Sequence, residues 1–259
     1  EQLGGTLGVI RPTFEEYPNR WGESCVEYDC TVDNFTYTAD SLIEYFSRNQ
    51  INNLVLINPD NPSGHFLTKI EIVKILEWCK TNEINLILDE SFLDFAEGKN
   101  NSLLSERILC KNPNLYIVKS ISKSYGVPGL RLGILASGNT SMIDYLKNNL
   151  SIWNINSMVE FFMQILDKYK DDYRISLEKL KKERKHFYNE LCGIDNLKVY
   201  PSQANYFLCE LLNGLDSKKL AGALLEKNIL IKDLSGKIKN GKQYIRTAIR
   251  TEEENEVLL

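Results

Sequence analysis

The sequence predicts an α/β fold with a mostly parallel sheet, followed by a smaller C-terminal α+β unit. Three observations carry this. Short apolar runs of strand length alternate with amphipathic helical patterns up to about residue 150. Polar, turn-forming residues follow directly on those runs, at the sheet edge where open parallel α/β sheets bind ligands. From Ser151 the pattern changes to one long helical stretch and then closely spaced strands, which divides the chain into residues 1–150 and 151–259.

At 259 residues, 43% hydrophobic and 25% charged, the chain has the length and apolar content for a sizeable core. A net charge of −4 with no basic run argues against a nucleic-acid partner. No window approaches a membrane span, and the opening EQLGGTLGVI lacks a signal-peptide layout. Cys25, Cys30, Cys79, Cys110, Cys192 and Cys209 form no CxxC pair, the usage of reduced thiols in a cytoplasmic protein. His65 and His186 are the only histidines, so no histidine-based zinc site is expected.

Taken in order, Leu7–Ile10 reads as a buried strand leading into Arg11-Pro12-Thr13-Phe14, and Glu23–Val32 as a second strand. Residues Ala39–Arg48 form a short helix started by Thr38 or Asp40. The strand Asn53–Ile57 ends on Asn58-Pro59-Asp60-Asn61-Pro62-Ser63-Gly64, where two prolines and a glycine force a rigid turn. Thr68-Lys69-Ile70-Glu71 is a capping box opening a helix to about Asn82, with Ile72, Ile75, Leu76 and Cys79 on one face. The strand Ile84–Leu88 ends on Asp89, a carboxylate that is costly at the end of an apolar run unless paired. From the residues alone a helix N-cap or a surface ion pair is the favoured account. Ser102–Cys110 reads as a helix.

The stretch from Asn114 to Ala136 carries the chemistry. An apolar run (Leu115, Ile117, Val118) precedes a bend with Lys123 among Ser120 and Ser122, then Gly126, Pro128, Gly129 and Arg131. The run Leu132–Ala136 closes it. An amine beside hydroxyls and a guanidinium suits an aldehyde cofactor that also carries a phosphate. The lysine forms the Schiff base while the serines and arginine hold the dianion. Beyond it come a helix over Asn139–Leu150, an aromatic hinge over Ile152–Ser157, and one long helix from Met158 to about Leu191. Strands follow at Leu197–Tyr200, Asn205–Leu211, Ile229–Lys232 and Tyr244–Ile249, with a helix over Ser217–Asn228 and a further helix start at the end. Arg246 and Arg250 share a face if the last strand continues.

Ser-x-Ser-Lys with an arginine eight residues on resembles the lysine region of fold-type I pyridoxal 5'-phosphate (PLP) enzymes. The branch is that of histidinol-phosphate aminotransferase and threonine-phosphate decarboxylase. The run Asn58–Gly64 is similar to the family's Asn-Pro-x-Asn-Pro-Ser-Gly signature. The resemblance makes residues 1–150 the PLP-binding large domain, with its N-terminal part absent, and 151–259 a linking helix and small domain. It implies that Phe14 lies flat on the cofactor ring, Asn61 donates to the phenolic oxygen and Asp89 pairs with the pyridine nitrogen. It places Ser120, Ser122 and Arg131 on the phosphate, makes Lys123 the catalytic lysine, and sets Arg246 on the substrate carboxylate. Asn205 resembles an asparagine near the substrate. Two departures stand out: Phe92 replaces a tyrosine of many aminotransferases, and Lys232 replaces an arginine that contacts substrate phosphate in the histidinol-phosphate branch. The activity implied is an aminotransferase acting on a small amino acid or amine, phosphate- or phosphonate-bearing relatives included, and a 2-oxo acid. Decarboxylation of a phosphorylated amino acid is the second reading, and an inactive domain of the same fold the third. A homodimer with a shared site is implied, and some similar domains are fused to a nucleotidyltransferase. The chain reads as the remainder of a longer protein.

Overall fold

The computed structural model describes residues 3–22 and 24–259. The first apolar run forms β1 (Leu7–Arg11), followed by α1 (Glu16–Trp21) and β2 (Cys25–Asp29). The strand expected over Glu23–Val32 is thus shorter, and Glu23 lies outside the described residues. Its end has a local cause. The Asp29 carboxylate accepts from the Thr31 N–H and turns Cys30–Asp33 into a 3-10 turn.

Helices α2 (Ala39–Arg48) and α3 (Lys69–Thr81) both start on capping boxes, Thr38 with Ser41 and Thr68 with Glu71. Between them runs β3 (Asn53–Ile57), buried at every position, and after them β4 (Asn85–Asp89). The helix expected from Ser102 begins only at α4 (Glu106–Lys111). Buried Glu90 holds the preceding residues in an extended course: the Ser102 hydroxyl and the Leu103 N–H both donate to its carboxylate. Then come β5 (Leu115–Ser120), the single turn α5 (Ile121–Ser124), β6 (Gly133–Ser137) and α6 (Thr140–Asn149).

These strands form one six-stranded sheet in the order β2-β1-β3-β4-β5-β6, parallel throughout except that β6 runs antiparallel to β5. The α/β class and mostly parallel sheet are those the sequence predicts. Because the crossovers are helical, the five parallel strands β1 to β5 deliver their C-terminal ends to one edge.

The long helix expected over Met158–Leu191 is two: α7 (Ser157–Ile165) and α8 (Lys170–Cys192), separated by a 3-10 turn at Leu166–Tyr169. Neither proline nor glycine marks this break in the sequence. Helix α8 is aimed by its contacts: the Tyr173 ring stacks on Tyr125 at 3.9 Å and 8°, and its hydroxyl donates to Asp94 at 2.8 Å. A second, antiparallel sheet, β7-β8-β10-β9, is built from β7 (Leu197–Val199), β8 (Tyr206–Leu211), β9 (Lys232–Asp233) and β10 (Gln243–Ala248). Helices α9 (Ser217–Glu226) and α10 (Glu252–Leu258) complete the chain.

One apolar core crosses between the sheets. Leu42, Phe46, Leu54 and Ile75 belong to the same buried cluster as Tyr200, Leu208 and Tyr244. The Phe35 ring meets Tyr200 and Tyr244 edge-on at 4.9 and 5.3 Å, an arrangement worth about 0.5–1.5 kcal/mol per pair beyond burial. Buried Arg184 of α8 adds a polar tie. It donates to the Phe95 carbonyl at 2.6 Å, the Ala204 carbonyl at 3.2 Å and Glu97 at 2.9 Å. Burial lowers its pKa and Glu97 opposes that. Arg184→Ala leaves two carbonyls without their donor. We expect a loss of about 1–3 kcal/mol in urea unfolding, and an unchanged midpoint would show that water replaces the guanidinium at no cost.

Candidate active site

The edge formed by the C-terminal ends of the parallel strands gathers Phe14, Asn61, Asp89 and Lys123. Asp89, the last residue of β4, is buried between β3 and β5. Its two oxygens accept from the Tyr17 hydroxyl at 2.8 Å and the Ser91 N–H at 2.9 Å. Burial and the neighbouring carboxylate push the Tyr17 phenol well up, so it stays a donor. Tyr17 was not singled out from sequence. Its signal is the spacing of three from Phe14, across the turn that leads into α1, and the two rings meet edge-on at 6.2 Å.

Lys123 sits on the one-turn helix α5. Its Nζ stands 4.1 Å from the Phe92 ring centroid and 5.7 Å from that of Phe14, while the residue keeps access to solvent. Its pKa is lowered by burial of the amine; Asp89 opposes this, and Arg246 and Arg131 add to it. A larger share of neutral amine makes a better nucleophile. Phe14 itself is 41% exposed, an aromatic face on the lysine's side with room above it.

The two serines before Lys123 differ. Ser122 is buried, and its hydroxyl accepts from the Leu132 N–H at 2.9 Å and lies 3.2 Å from the Leu132 carbonyl, to which it donates. It locks the bend and already uses the hydroxyl's single proton, which weighs against the phosphate role that the resemblance implies. Ser120 has no hydrogen bond to its hydroxyl among the described residues, and its N–H donates to Ser91 Oγ at 2.9 Å. Arg131 is exposed, makes no ion pair among the described residues, and has φ 57° at the end of the Pro128–Leu130 turn. That left-handed backbone costs a non-glycine residue on the order of 1 kcal/mol. A free guanidinium and a free hydroxyl therefore flank the lysine.

The turn after β3 is rigid for several reasons at once. Asn58 exchanges two 2.9 Å bonds with the Leu67 backbone, and Ser63 donates to buried Asp60. Gly64 has φ 75°, and a Cβ there would clash with Ser202 Oγ. This turn presents Asn61, whose Oδ1 accepts from Arg246 Nη1 at 2.7 Å, leaving the Asn61 amide N–H groups free to donate elsewhere. Arg246 reaches across from β10, its guanidinium 4.7 Å over the Tyr206 ring, and the Tyr206 hydroxyl donates to the Asp60 carbonyl at 2.7 Å. No sequence signal points to Tyr206, since its contact with Arg246 depends on how β8 pairs with β10.

The remaining candidates stand apart. The strand ends before Arg250, which pairs with Glu254 at 2.7 Å in the ion-pair role expected of it. The Asn205 carbonyl accepts from the Ile249 N–H at 2.9 Å. Lys232 is exposed and pairs in register with Arg246. Among the described residues no cluster of histidine, cysteine, aspartate or glutamate is arranged to hold a metal, and no helix is long and apolar enough to cross a membrane.

A lysine, an exposed aromatic ring and a buried carboxylate thus stand together on one sheet edge. The chain belongs to the aminotransferase class I and II family, whose model matches residues 9–259, and the enzymes of this family depend on PLP. It is 33% identical to L-serine phosphate decarboxylase of Campylobacter jejuni over 99% of this chain and 67% of that protein. It is 30% identical to CMP-5'-(3-aminopropyl)phosphonate synthase of Streptomyces rubellomurinus, over 100% of this chain and 41% of that protein. The chain thus spans between two fifths and two thirds of the length of these relatives. The solved structure of histidinol-phosphate aminotransferase from Clostridium acetobutylicum superposes with a TM-score of 0.87 at 26% identity, over 98% of this chain and 75% of that one.

Asp60 yields a prediction. Burial raises its pKa from 3.8 to about 6, against the hydrogen bonds from Ser63 and the backbone. The folded state then binds the proton more tightly than the unfolded one. Stability from this group is present below pH 3.8 and is lost as pH rises to about 6, on the order of 3 kcal/mol for a shift of about two units. Asp60→Asn should remove this component, so variant and parent should diverge in urea midpoint between pH 4 and pH 7, the parent falling more. Parallel profiles would show that Asp60 ionises freely.

Proposed function

We propose that the chain is the catalytic part of a PLP-dependent enzyme acting on an amino acid that carries a phosphate or phosphonate, and that its reaction is decarboxylation. The observation that carries the cofactor assignment is the Lys123 amine, set between Phe92 and Phe14 and opposite buried Asp89. The residues present fit PLP: Phe14 offers an exposed aromatic face, Asn61 has amide donors to spare, and the Ser120 hydroxyl and Arg131 guanidinium have no other partner among the described residues. In this reading Asp89 would hold a proton at the pyridine nitrogen, Phe14 would cover the ring, and Ser120 with Arg131 would hold the phosphate. Residues 1–150 hold the cofactor, and 151–259 bring Arg246 to the substrate. When bound, PLP supplies the electron sink for cleavage of a bond at the substrate's α-carbon. Lys123 then moves the proton at that carbon as general acid and base.

Decarboxylation is supported by the relative that acts on L-serine phosphate and by Phe92, which puts an apolar wall, and no phenol, beside the lysine. Aminotransfer is the second reading, and Arg246 favours it. Held by Asn61 at 2.7 Å, its guanidinium suits a substrate carboxylate, which transamination retains. The two readings differ in which bond at the substrate's α-carbon is broken, the one to the carboxylate or the one to hydrogen.

Mass spectrometry of products from phosphoamino acids, plain amino acids and 2-oxo acids separates them. The expected result is carbon dioxide and an amine from a phosphoamino acid. An oxo acid as the product would establish aminotransfer in its place, and turnover confined to unphosphorylated substrates would sink the substrate class. Lys123→Ala should cost at least the 10²–10⁴-fold, roughly, of acid–base catalysis, and borohydride reduction with peptide mapping should place the label on Lys123 in the parent. Label on another lysine would refute the assignment. Asp89→Ala should retain the cofactor and lose most turnover.

A further inference from the structure

The turn that carries Lys123 is tied unevenly. Its start is held by the Ser120 N–H on Ser91 Oγ at 2.9 Å, and its middle by the Ser122 hydroxyl on Leu132. At its end the Tyr125 side chain makes no hydrogen bond among the described residues. There the ring of Tyr173 lies flat on that of Tyr125 at 3.9 Å and 8°, and Phe162 meets Tyr125 edge-on at 6.1 Å. Among the described residues this is the one parallel stack; the other aromatic pairs meet edge-on or tilted.

Tyr173 is itself anchored. Its hydroxyl donates to Asp94 at 2.8 Å, and the other oxygen of that carboxylate takes the Lys119 ammonium at 2.5 Å. Burial and the Asp94 charge both push the Tyr173 phenol upward, so it stays a donor. Asp94 stands two residues beyond Phe92, on the turn Leu93–Phe95, and Lys119 stands four residues before Lys123. One carboxylate thus ties the Phe92 segment to both flanks of the lysine, directly through Lys119 and by way of Tyr173 to Tyr125. Ordinary packing of a helix on a core does not account for this. Neither Tyr125 nor Tyr173 belongs to the buried apolar clusters, and Asp171, Asp172 and Arg174 around Tyr173 are exposed.

The lysine amine has a small target. Reaction with an aldehyde carbon requires the two atoms close and aligned, and a displacement of about 1 Å costs on the order of 10²-fold. We propose that Tyr173 is a positioning residue for the Lys123 amine: its ring, held by Asp94, fixes Tyr125 and so the direction in which the turn presents the lysine. The proposal rests on the reading that Lys123 takes the aldehyde of PLP. In that reading Phe14, Asp89, Ser120 and Arg131 hold the ring and phosphate, so Tyr173 governs covalent capture and not the binding that precedes it.

Two probes separate these steps in the cofactor-free full-length protein. One is PLP, its capture followed by borohydride trapping and peptide mapping. The other is 4'-deoxypyridoxine 5'-phosphate, which has the ring and phosphate but no aldehyde. Tyr173→Leu should slow PLP capture by about 10- to 100-fold and leave the affinity for the deoxy probe unchanged. Tyr173→Phe keeps the stacking ring and should recover most of the rate. Phe187→Leu, which loosens the same helix at its buried far end, should capture PLP at the parental rate. Parental capture by Tyr173→Leu overturns the proposal, and so does an equal loss for both probes, which marks a disturbed pocket. A Tyr173→Phe variant as slow as Tyr173→Leu overturns the ring as the placing element. Slow capture by Phe187→Leu overturns the proposal in favour of general helix stability. Label on a lysine other than Lys123 in the parent overturns the cofactor reading together with it.

Discussion

The site depends on one constraint: a carboxylate buried at the end of a central strand. Asp89 must have donors there, because an unpaired charge among apolar strands is costly. The chain supplies Tyr17 from α1 and the Ser91 N–H from its own turn. Drawing Tyr17 inward fixes α1, and α1 fixes Phe14 one turn earlier. The same negative charge opposes the desolvation of Lys123, so the amine is held between two pulls. Burial favours its neutral form, the carboxylate its charged form. A group meant to gain and lose a proton needs such a balance, since its pKa must lie near the working pH.

The parts of this arrangement visible in the sequence are those fixed by local chemistry. Buried strands such as Asn53–Ile57 show as continuous apolar runs, and the Thr68–Glu71 box marks a helix start to the residue. The Asn58–Gly64 turn is legible because its prolines and glycine leave few conformations. What stayed hidden depends on partners distant in the chain. Ser102 looks like a helix start, but Glu90, twelve residues earlier, takes its hydroxyl. Ser122 looks like Ser120, yet Leu132 claims it across the bend. Tyr206 reaches Arg246 only through the pairing of β8 with β10. The break between α7 and α8 has no breaker residue, and the contacts that aim α8 are tertiary.

The bond between Arg246 and Asn61 joins the two sheets at the reacting edge. Neither residue could hold the other in place from a flexible segment. Asn61 stands on a turn with its neighbours Asn58, Asp60 and Gly64 each pinned, and Arg246 on a strand paired on both sides. The entropy of placing the guanidinium is thus spent on folding, and little remains to be lost when an anion arrives.

Helix α8 carries a mechanical consequence. Its 23 residues make a rod about 34 Å long at 1.5 Å per residue. Near its N-terminal end Tyr173 lies flat on Tyr125, two residues beyond the lysine. Midway Arg184 grips the Phe95 carbonyl, and at the far end Phe187 and Leu191 are sunk in the second sheet beside Phe207 and Cys209. The rod therefore ties the lysine turn at one end to the sheet that carries Arg246 at the other, so the spacing of these two parts of the edge is set by the length of one helix.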